Sequence, residues 1–362
     1  PFVVTAGILP LKNALMGYSD TTTWLVVVAF MIAGAVIETG LGRRISLLCI
    51  LILGRSITGL GYAICLAEFI LGPVVPSNTA RGGGILAPIV DSISRTLGSS
   101  PKNKPEKAGQ YLHLVGAHAN LITAAMFLTG MAANPLVSKA AFDIFEIQFD
   151  WFTWAKGGIV PGLIGLAGLP LLINYISTPT IDSIQPIREK IQEDIQSLGP
   201  WTRQEIITAC TLGVMLILWS TKPFHGWGTT TVAFLGLVII LLTRTLTWDQ
   251  LVKNHKAWDA LIWLGGLLTL ATGFKDLGFI GWFGNLIGNG LTGISPIMLL
   301  IALTLIYFYS MYFFSMLTAH IVALVGTIFL VVSGVGLNPF LVVGVMAYFS
   351  NLCGCLTNYS TG

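Results

Sequence analysis

Charged side chains are scarce in this sequence. Asp, Glu, Lys and Arg make up 10% of its 362 residues, where a soluble domain carries about a quarter. A water-soluble fold of this length is excluded on that ground. No basic run occurs, and a net charge of +3 offers nucleic acid nothing to hold. Cysteine is sparse and odd in number. Cys49, Cys65, Cys210, Cys353 and Cys355 lie scattered in apolar surroundings, which argues against a disulfide framework. Cys353-Gly-Cys355 reads as small packing residues in a helix rather than as metal ligands. His113 and His118 stand five apart, are read onto different helix faces, and make no metal pair. No nucleophile–base pair or metal cluster is evident at membrane depth, so the chain does not read as an enzyme. No signal or transit peptide is visible. The chain opens with Pro1 in an apolar stretch and stops at Gly362 after a polar cluster, so both ends read as cut.

What is present is hydrocarbon. Apolar residues make up 54% and the mean hydropathy is +0.80. Apolar stretches recur at 23–37, 114–128, 232–242 and 298–306, and with their flanks they approach the length that spans a bilayer. The expected fold class is an all-α polytopic membrane protein.

Residues 73–84 interrupt this pattern with Pro-Val-Val-Pro-Ser-Asn-Thr-Ala-Arg-Gly-Gly-Gly. Proline and three glycines oppose a continuous helix. A bilayer tolerates irregular backbone only where protein or a watery cavity satisfies its N–H and C=O groups. Ser77, Asn78 and Thr79 supply hydroxyl and amide groups, and Arg81 a fixed positive charge. Polar broken backbone at membrane depth is how secondary transporters build substrate sites.

Loop charge orders the spans. Residues 94–107, 178–205 and 243–258 hold four, three and three Lys and Arg, against two in 136–156 and one in 220–229. The positive-inside rule places the richer set in the cytoplasm. Segment 58–93 then enters and leaves on one side as a re-entrant hairpin. Residues 142–155 read as an interfacial aromatic belt. Ile184, Ile187, Ile191 and Ile195 recur at helical spacing in the charged linker 178–205, which also holds Asp182; this predicts an amphipathic surface helix.

The halves echo one another. Residues 30–42 and 265–278 are both apolar helices ending in a charged residue and Leu-Gly. Ser77-Asn-Thr-Ala-Arg81 is matched by Met316-Leu-Thr-Ala-His320 (316 − 77 = 239), and Asn134 by Asn358 (358 − 134 = 224). The first repeat runs over 1–177, with its hairpin at 58–93 and a broken helix at about 108–137. The second runs over 206–362, with a hairpin at about 295–335 and a broken helix at 338–362. Matched interrupted segments point to an inverted-repeat secondary transporter.

Ser77-Asn-Thr-Ala-Arg-Gly-Gly-Gly84, Leu128-Thr-Gly-Met-Ala-Ala-Asn-Pro135 and Thr357-Asn-Tyr-Ser-Thr-Gly362 resemble the divalent anion symporter family, above all its 2-oxoglutarate/malate translocator branch. The resemblance covers essentially the whole chain, which lacks the family's first membrane helices and about one at the end. It implies a homodimer with a scaffold domain and an elevator-like transport domain, without enzyme activity or organic cofactor. It implies a C4/C5 dicarboxylate bound by Ser77, Asn78, Thr79, Asn134, Pro135, Thr357, Asn358, Ser360 and Thr361, with sodium at Ser77 and Asn78 in sodium-coupled members. Met316 and Leu317 replace the second hairpin's Ser-Asn and leave Thr318; thioether and isobutyl groups are no ligands for a hard cation. Exchange of 2-oxoglutarate and malate is therefore expected first, and sodium-coupled symport of dicarboxylate, citrate or sulfate second. Arg81 is a candidate for a bidentate carboxylate contact, with a tie to Glu68 as its other role. His320, in the equivalent place, is a candidate for the second carboxylate. The expected location is a bacterial inner membrane, with the plastid inner envelope as the alternative.

Overall fold

The computed structural model describes residues 2–181, 184–278, 282 and 295–361. Pro1, Asp182 and Gly362, named above, lie outside them. Among the described residues the regular structure is helical, apart from an isolated bridge between Ser100 and Asn103.

Local chemistry sets the helix boundaries of the first half. Asp20 caps α1 (Thr21–Glu38) by accepting from the Thr22 N–H at 2.7 Å. Gly40, at φ 77°, takes the left-handed turn into α2 (Leu41–Leu53), a conformation that favours a residue without Cβ. Ser56 caps α3 (Ile57–Leu71). After an irregular tip at residues 72–78, the chain rewinds as wide turns over Thr79–Leu86 and continues as α4 (Ala87–Thr96). Next, α5 (Gly109–Met126) breaks at residues 127–133 and resumes as α6 (Asn134–Phe145). The long α7 (Trp151–Ile176) carries Pro161 and Pro170 internally. Tyr62 of α3 and Tyr111 of α5 donate to its Ala167 and Pro170 carbonyls.

The linker forms α8 (Gln185–Leu198). Ile187 and Ile191 are buried on its inner face, and Ile184 and Ile195 are half-buried beside them. A capping box of Thr202 and Glu205 opens α9 (Arg203–Ser220), followed by α10 (Thr229–Leu242) and α11 (His255–Asp276). The second hairpin segment consists of α12 (Pro296–Ser310), a tip at residues 311–316, and α13 (Leu317–Ser333). Finally α14 (Pro339–Leu352) tightens into a 3₁₀ turn over Cys353–Leu356 and gives way to irregular chain from Thr357. Among the described residues four helical segments are long and apolar enough to cross a membrane: Thr21–Glu38, Trp151–Ile176, Pro296–Phe313 and Pro339–Leu356. α3, α10 and α13 are shorter apolar helices.

The two interrupted helices lie together at the centre. α5 packs on α3, α4, α7 and α14, while α14 packs on α6, α12 and α13. α6 thus leaves the first half to lie on α13 and α14 of the second. Around them, α1 packs on α10 and α11, and α8 packs on α2.

Arg44 fastens the linker. Its Nε donates to Glu205 Oε1 at 2.6 Å, and Nη1 and Nη2 donate to the carbonyls of Gly199, Leu198 and Pro200. The guanidinium also lies 5.1 Å from the Trp201 ring centroid. Both partners are buried, so Arg44→Ala leaves an unpaired carboxylate and three unbonded carbonyls. Its expected cost is about 3–5 kcal/mol, read as a lowered unfolding midpoint of the detergent-solubilised protein.

Asp150 caps α7 through the Thr153 N–H and also pairs with Lys222. Burial acts to raise its carboxyl, but the Lys222 ammonium and the Thr153 N–H and hydroxyl outweigh it and hold the value below the ordinary carboxylate range. A depressed value means stability present at neutral pH and lost as pH falls through that value. Asp150→Asn keeps a capping oxygen and removes the charge. It is expected to lower stability by about 0.5–1 kcal/mol at pH 7, and the deficit should vanish in acid when unfolding is followed against pH.

Candidate functional site

The first tip is polar because its sequence leaves the backbone no helix to join. The Ser77 carbonyl accepts from the Arg81 N–H at 2.9 Å and Ser77 Oγ from the Ala80 N–H at 3.1 Å. Asn78 Oδ1 accepts from the Thr79 N–H at 3.0 Å. With its oxygen so used, the amide turns Nδ2 the other way, and that buried nitrogen has no partner among the described residues. Asn120 of α5 supports the tip from behind, donating from Nδ2 to the Asn78 carbonyl at 3.1 Å and to Glu68 Oε1 at 3.0 Å. A Cβ on Gly82 would stand 3.0 Å from that nitrogen, so the close approach favours glycine there.

The second break bends toward this tip. Thr79 Oγ1 and Thr361 Oγ1 lie 3.2 Å apart across 282 residues of chain. Ser360 Oγ donates to the Gly354 carbonyl at 2.7 Å, which shapes the bend. The Ser360 carbonyl accepts from the Leu317 N–H at 2.9 Å, fastening the bend to the start of α13. Thr357 Oγ1 is buried without a partner among the described residues. Between tip and bend lies a cavity of about 470 Å³. Asn78, Thr79 and Gly82 line it from the first half and Thr357, Asn358, Ser360 and Thr361 from the second. α5 contributes Asn120, His113 and His118, and α4 an apolar wall of Leu86, Ala87 and Val90. The volume falls within the range of small-molecule sites.

The remaining sequence candidates lie elsewhere. Arg81 does not line this cavity; it is fully buried. Its Nε pairs with Glu68 Oε2, Nη1 donates to the Val75 and Gly130 carbonyls, and Nη2 donates to the Asn120 carbonyl and Thr123 Oγ1. With every donor group engaged, the guanidinium has none left for a ligand, which corrects the expected carboxylate contact. His320 is fully buried too, its ring 4.1 Å from the Tyr307 ring and Nε2 2.8 Å from Ser310 Oγ. Ser77 lies just behind the cavity wall and Thr318 is half-buried outside it. Asn134 donates from Nδ2 to the Ala124 and Phe127 carbonyls and accepts on Oδ1 from Asn351 Nδ2 at 2.9 Å, so it bridges the two broken helices. Pro135 lines a separate cavity with Asp20, Lys139 and Asp150. His113 and His118, read from sequence onto different faces, both line the cavity.

Sequence reading missed Asn120 and Asn351. Each is a lone amide inside an apolar helix, and an amide at such depth needs partners; that was the available signal.

Paired halves, interrupted helices and a donor-lined cavity between them define a membrane carrier rather than an enzyme. The model of the sodium:sulfate symporter transmembrane region matches residues 2–362, and the chain belongs to that family of integral membrane transporters. It is 40% identical over 357 residues to a Bacillus subtilis protein named putative malate transporter YflS, covering 98% of this chain and 75% of that one. It is 36% identical to the chloroplastic dicarboxylate transporter 1 of Arabidopsis thaliana, covering 98% of this chain and 64% of that protein. With the L-tartrate/succinate antiporter of Escherichia coli K12 it shares 34% over 319 residues, 87% of this chain and 64% of that one. The chain thus spans a little under two thirds to three quarters of the length of these relatives.

Asn120→Ala removes the group that joins Glu68 to the tip and leaves two buried acceptors short of a donor. A loss of roughly 1–3 kcal/mol is expected in thermal unfolding of the solubilised protein. An unchanged midpoint would show that Asn120 does not support the tip.

Proposed function

We propose that this chain is a secondary carrier of C4/C5 dicarboxylates working by exchange, malate against 2-oxoglutarate first. The observation that carries this reading is the meeting of two breaks from opposite halves. Asn78 and Thr79 face Thr357–Thr361 around one cavity, with Asn78 Nδ2 and Thr357 Oγ1 unpartnered. Free amide and hydroxyl hydrogens suit carboxylate oxygens. The start of the wide turns at Thr79 adds the partial positive charge of a helix N-terminus. The names of the Bacillus, Arabidopsis and Escherichia relatives, for malate, dicarboxylate and tartrate/succinate, support the substrate class.

Substrate binds at the cavity between the two halves in this reading. A transport part containing both hairpins, α5 and α14 then moves past a scaffold of α1, α10 and α11 in a homodimer. Both hairpins are re-entrant, and the basic loops face the cytoplasm of a bacterial inner membrane. The plastid inner envelope remains the alternative, which the chloroplastic relative fits.

Sodium-coupled symport is the second reading, favoured by the family's description. The chemistry of the first tip weighs against it. Ser77 Oγ and Asn78 Oδ1 already accept backbone N–H groups, the unpartnered atom is a donor, and the Arg81 guanidinium occupies the space behind.

Uptake of labelled malate into proteoliposomes, with and without internal 2-oxoglutarate and with and without a sodium gradient, separates the readings. Stimulation by internal dicarboxylate alone is expected; stimulation by sodium alone would replace exchange with symport. Asn78→Ala is expected to lower uptake by at least about tenfold, the scale of one or two lost hydrogen bonds, with membrane insertion unchanged. Wild-type uptake by this variant would remove the tip from the site.

A further inference from the structure

The buried pair behind the first tip has a counterpart of different chemistry behind the second. Glu68 and Arg81 stand on the two arms of the first hairpin segment; Tyr307 and His320 stand on the two arms of the second. The differences 307 − 68 and 320 − 81 both equal 239, the offset that relates the two tips. All four side chains are fully buried.

Each pair joins its arms and then reaches the broken helix behind. Glu68 and Arg81 bond each other and Asn120 and Thr123 of α5. The Tyr307 ring packs against that of His320 with the planes tilted by 40°, and His320 Nε2 meets Ser310 Oγ, while the Tyr307 hydroxyl donates to Ser350 Oγ of α14 at 2.9 Å. The Ser310 hydroxyl hydrogen is spent on the Tyr307 carbonyl at 2.8 Å, so Ser310 Oγ accepts from the imidazole Nε2–H. Cys353, at the start of the second break, lies 3.8 Å from the other ring nitrogen. The first pair is ionic, the second neutral and aromatic.

We infer that Glu68–Arg81 and Tyr307–His320 are equivalent positioning pairs, each closing one hairpin onto the broken helix that shares its binding surface. Neither pair touches substrate. Arg81 fixes the first tip through the Val75 carbonyl and, by way of Glu68 and Asn120, the Asn78 carbonyl. Tyr307 and His320 set the arm whose Leu317 N–H holds Ser360, a wall of the cavity. Equivalence has a chemical consequence: the second location should accept the chemistry of the first. A lone buried charge is severely penalised, whereas a matched pair offsets its own desolvation.

This inference rests on the carrier reading for its transport arm, but its stability arm stands alone. The test compares Tyr307→Glu, His320→Arg and the double variant with the wild type in labelled malate exchange and in thermal unfolding of the solubilised protein. Each single variant should lose at least about tenfold in exchange, and the double should regain at least about tenfold over the worse single. Unfolding midpoints should follow the same order. A double variant no better than the worse single in either measurement overturns the inference.

Tyr307→Leu and His320→Gln, with their double, keep the question open to refutation if the charged variants do not fold. Coupled positioning residues should each raise KM by about tenfold, with the double no worse than the more affected single. A raised KM in His320→Gln alone, with Tyr307→Leu unaffected, would make His320 a substrate contact and refute the pair. If the wild type exchanges no dicarboxylate, the carrier reading fails, while the order of unfolding midpoints still decides the equivalence.

Discussion

Two breaks in the helical backbone, at residues 72–78 and 127–133, expose carbonyls that a bilayer cannot solvate. Arg81 answers both at once. Its Nη1 bonds the Val75 carbonyl of the first break and the Gly130 carbonyl of the second, and Glu68 balances the charge at full burial. A guanidinium is suited to this role because its donors project in a rigid plane and it stays ionised. Without it, irregular chain at this depth would leave acceptors unbonded, each at a cost of roughly 1–3 kcal/mol. The polar tip is presented to the cavity because the backbone behind it is satisfied.

The same economy of charge shapes the cavity. Among the described residues no permanently charged side chain lines it; its polar wall is amide, hydroxyl, imidazole and the Cys355 thiol. Recognition of a dianion by neutral donors depends on their number and aim more than on Coulomb attraction. That places a premium on holding Asn78, Thr357 and Thr361 in position, and it explains why so much of the buried polar network lies one layer behind the cavity. Asn134 and Asn351 are visible parts of that layer, and Asn120 joins it to the cavity wall.

The helical membrane class was legible in composition and residue order. Proline and glycine at 73–84 marked the interruption that separates α3 from the wide turns at Thr79–Leu86. Thr357 to Thr361 were legible as a polar string in apolar chain. The roles of Arg81 and His320 were not, because a charged or titratable group beside a site reads alike whether it points at ligand or at backbone. Only the acceptors around Arg81, contributed by residues from 68 to 130, distinguish the two. Asn134 misled for a related reason: its motif marks the break, but the amide serves α14 and the Ala124 and Phe127 carbonyls. His113 and His118 were read onto different helix faces, which their five-residue spacing gives, but that spacing did not show that both line the cavity.

Donors in the cavity without a partner among the described residues bear on the exchange proposed for this carrier. When a carrier's site faces water, Asn78 Nδ2 and Thr357 Oγ1 can be solvated. If the site crosses the membrane unloaded and closed off, both groups are left dry, at roughly 1–3 kcal/mol each. Together that slows the unloaded crossing by a factor on the order of 10 to 10⁴. A dicarboxylate that accepts from both removes the penalty in either direction. Return then runs chiefly loaded, which is the kinetic definition of an exchanger. A sodium-coupled carrier faces a different requirement, since its substrate-free form must return readily, and a site left with unsatisfied donors works against that return.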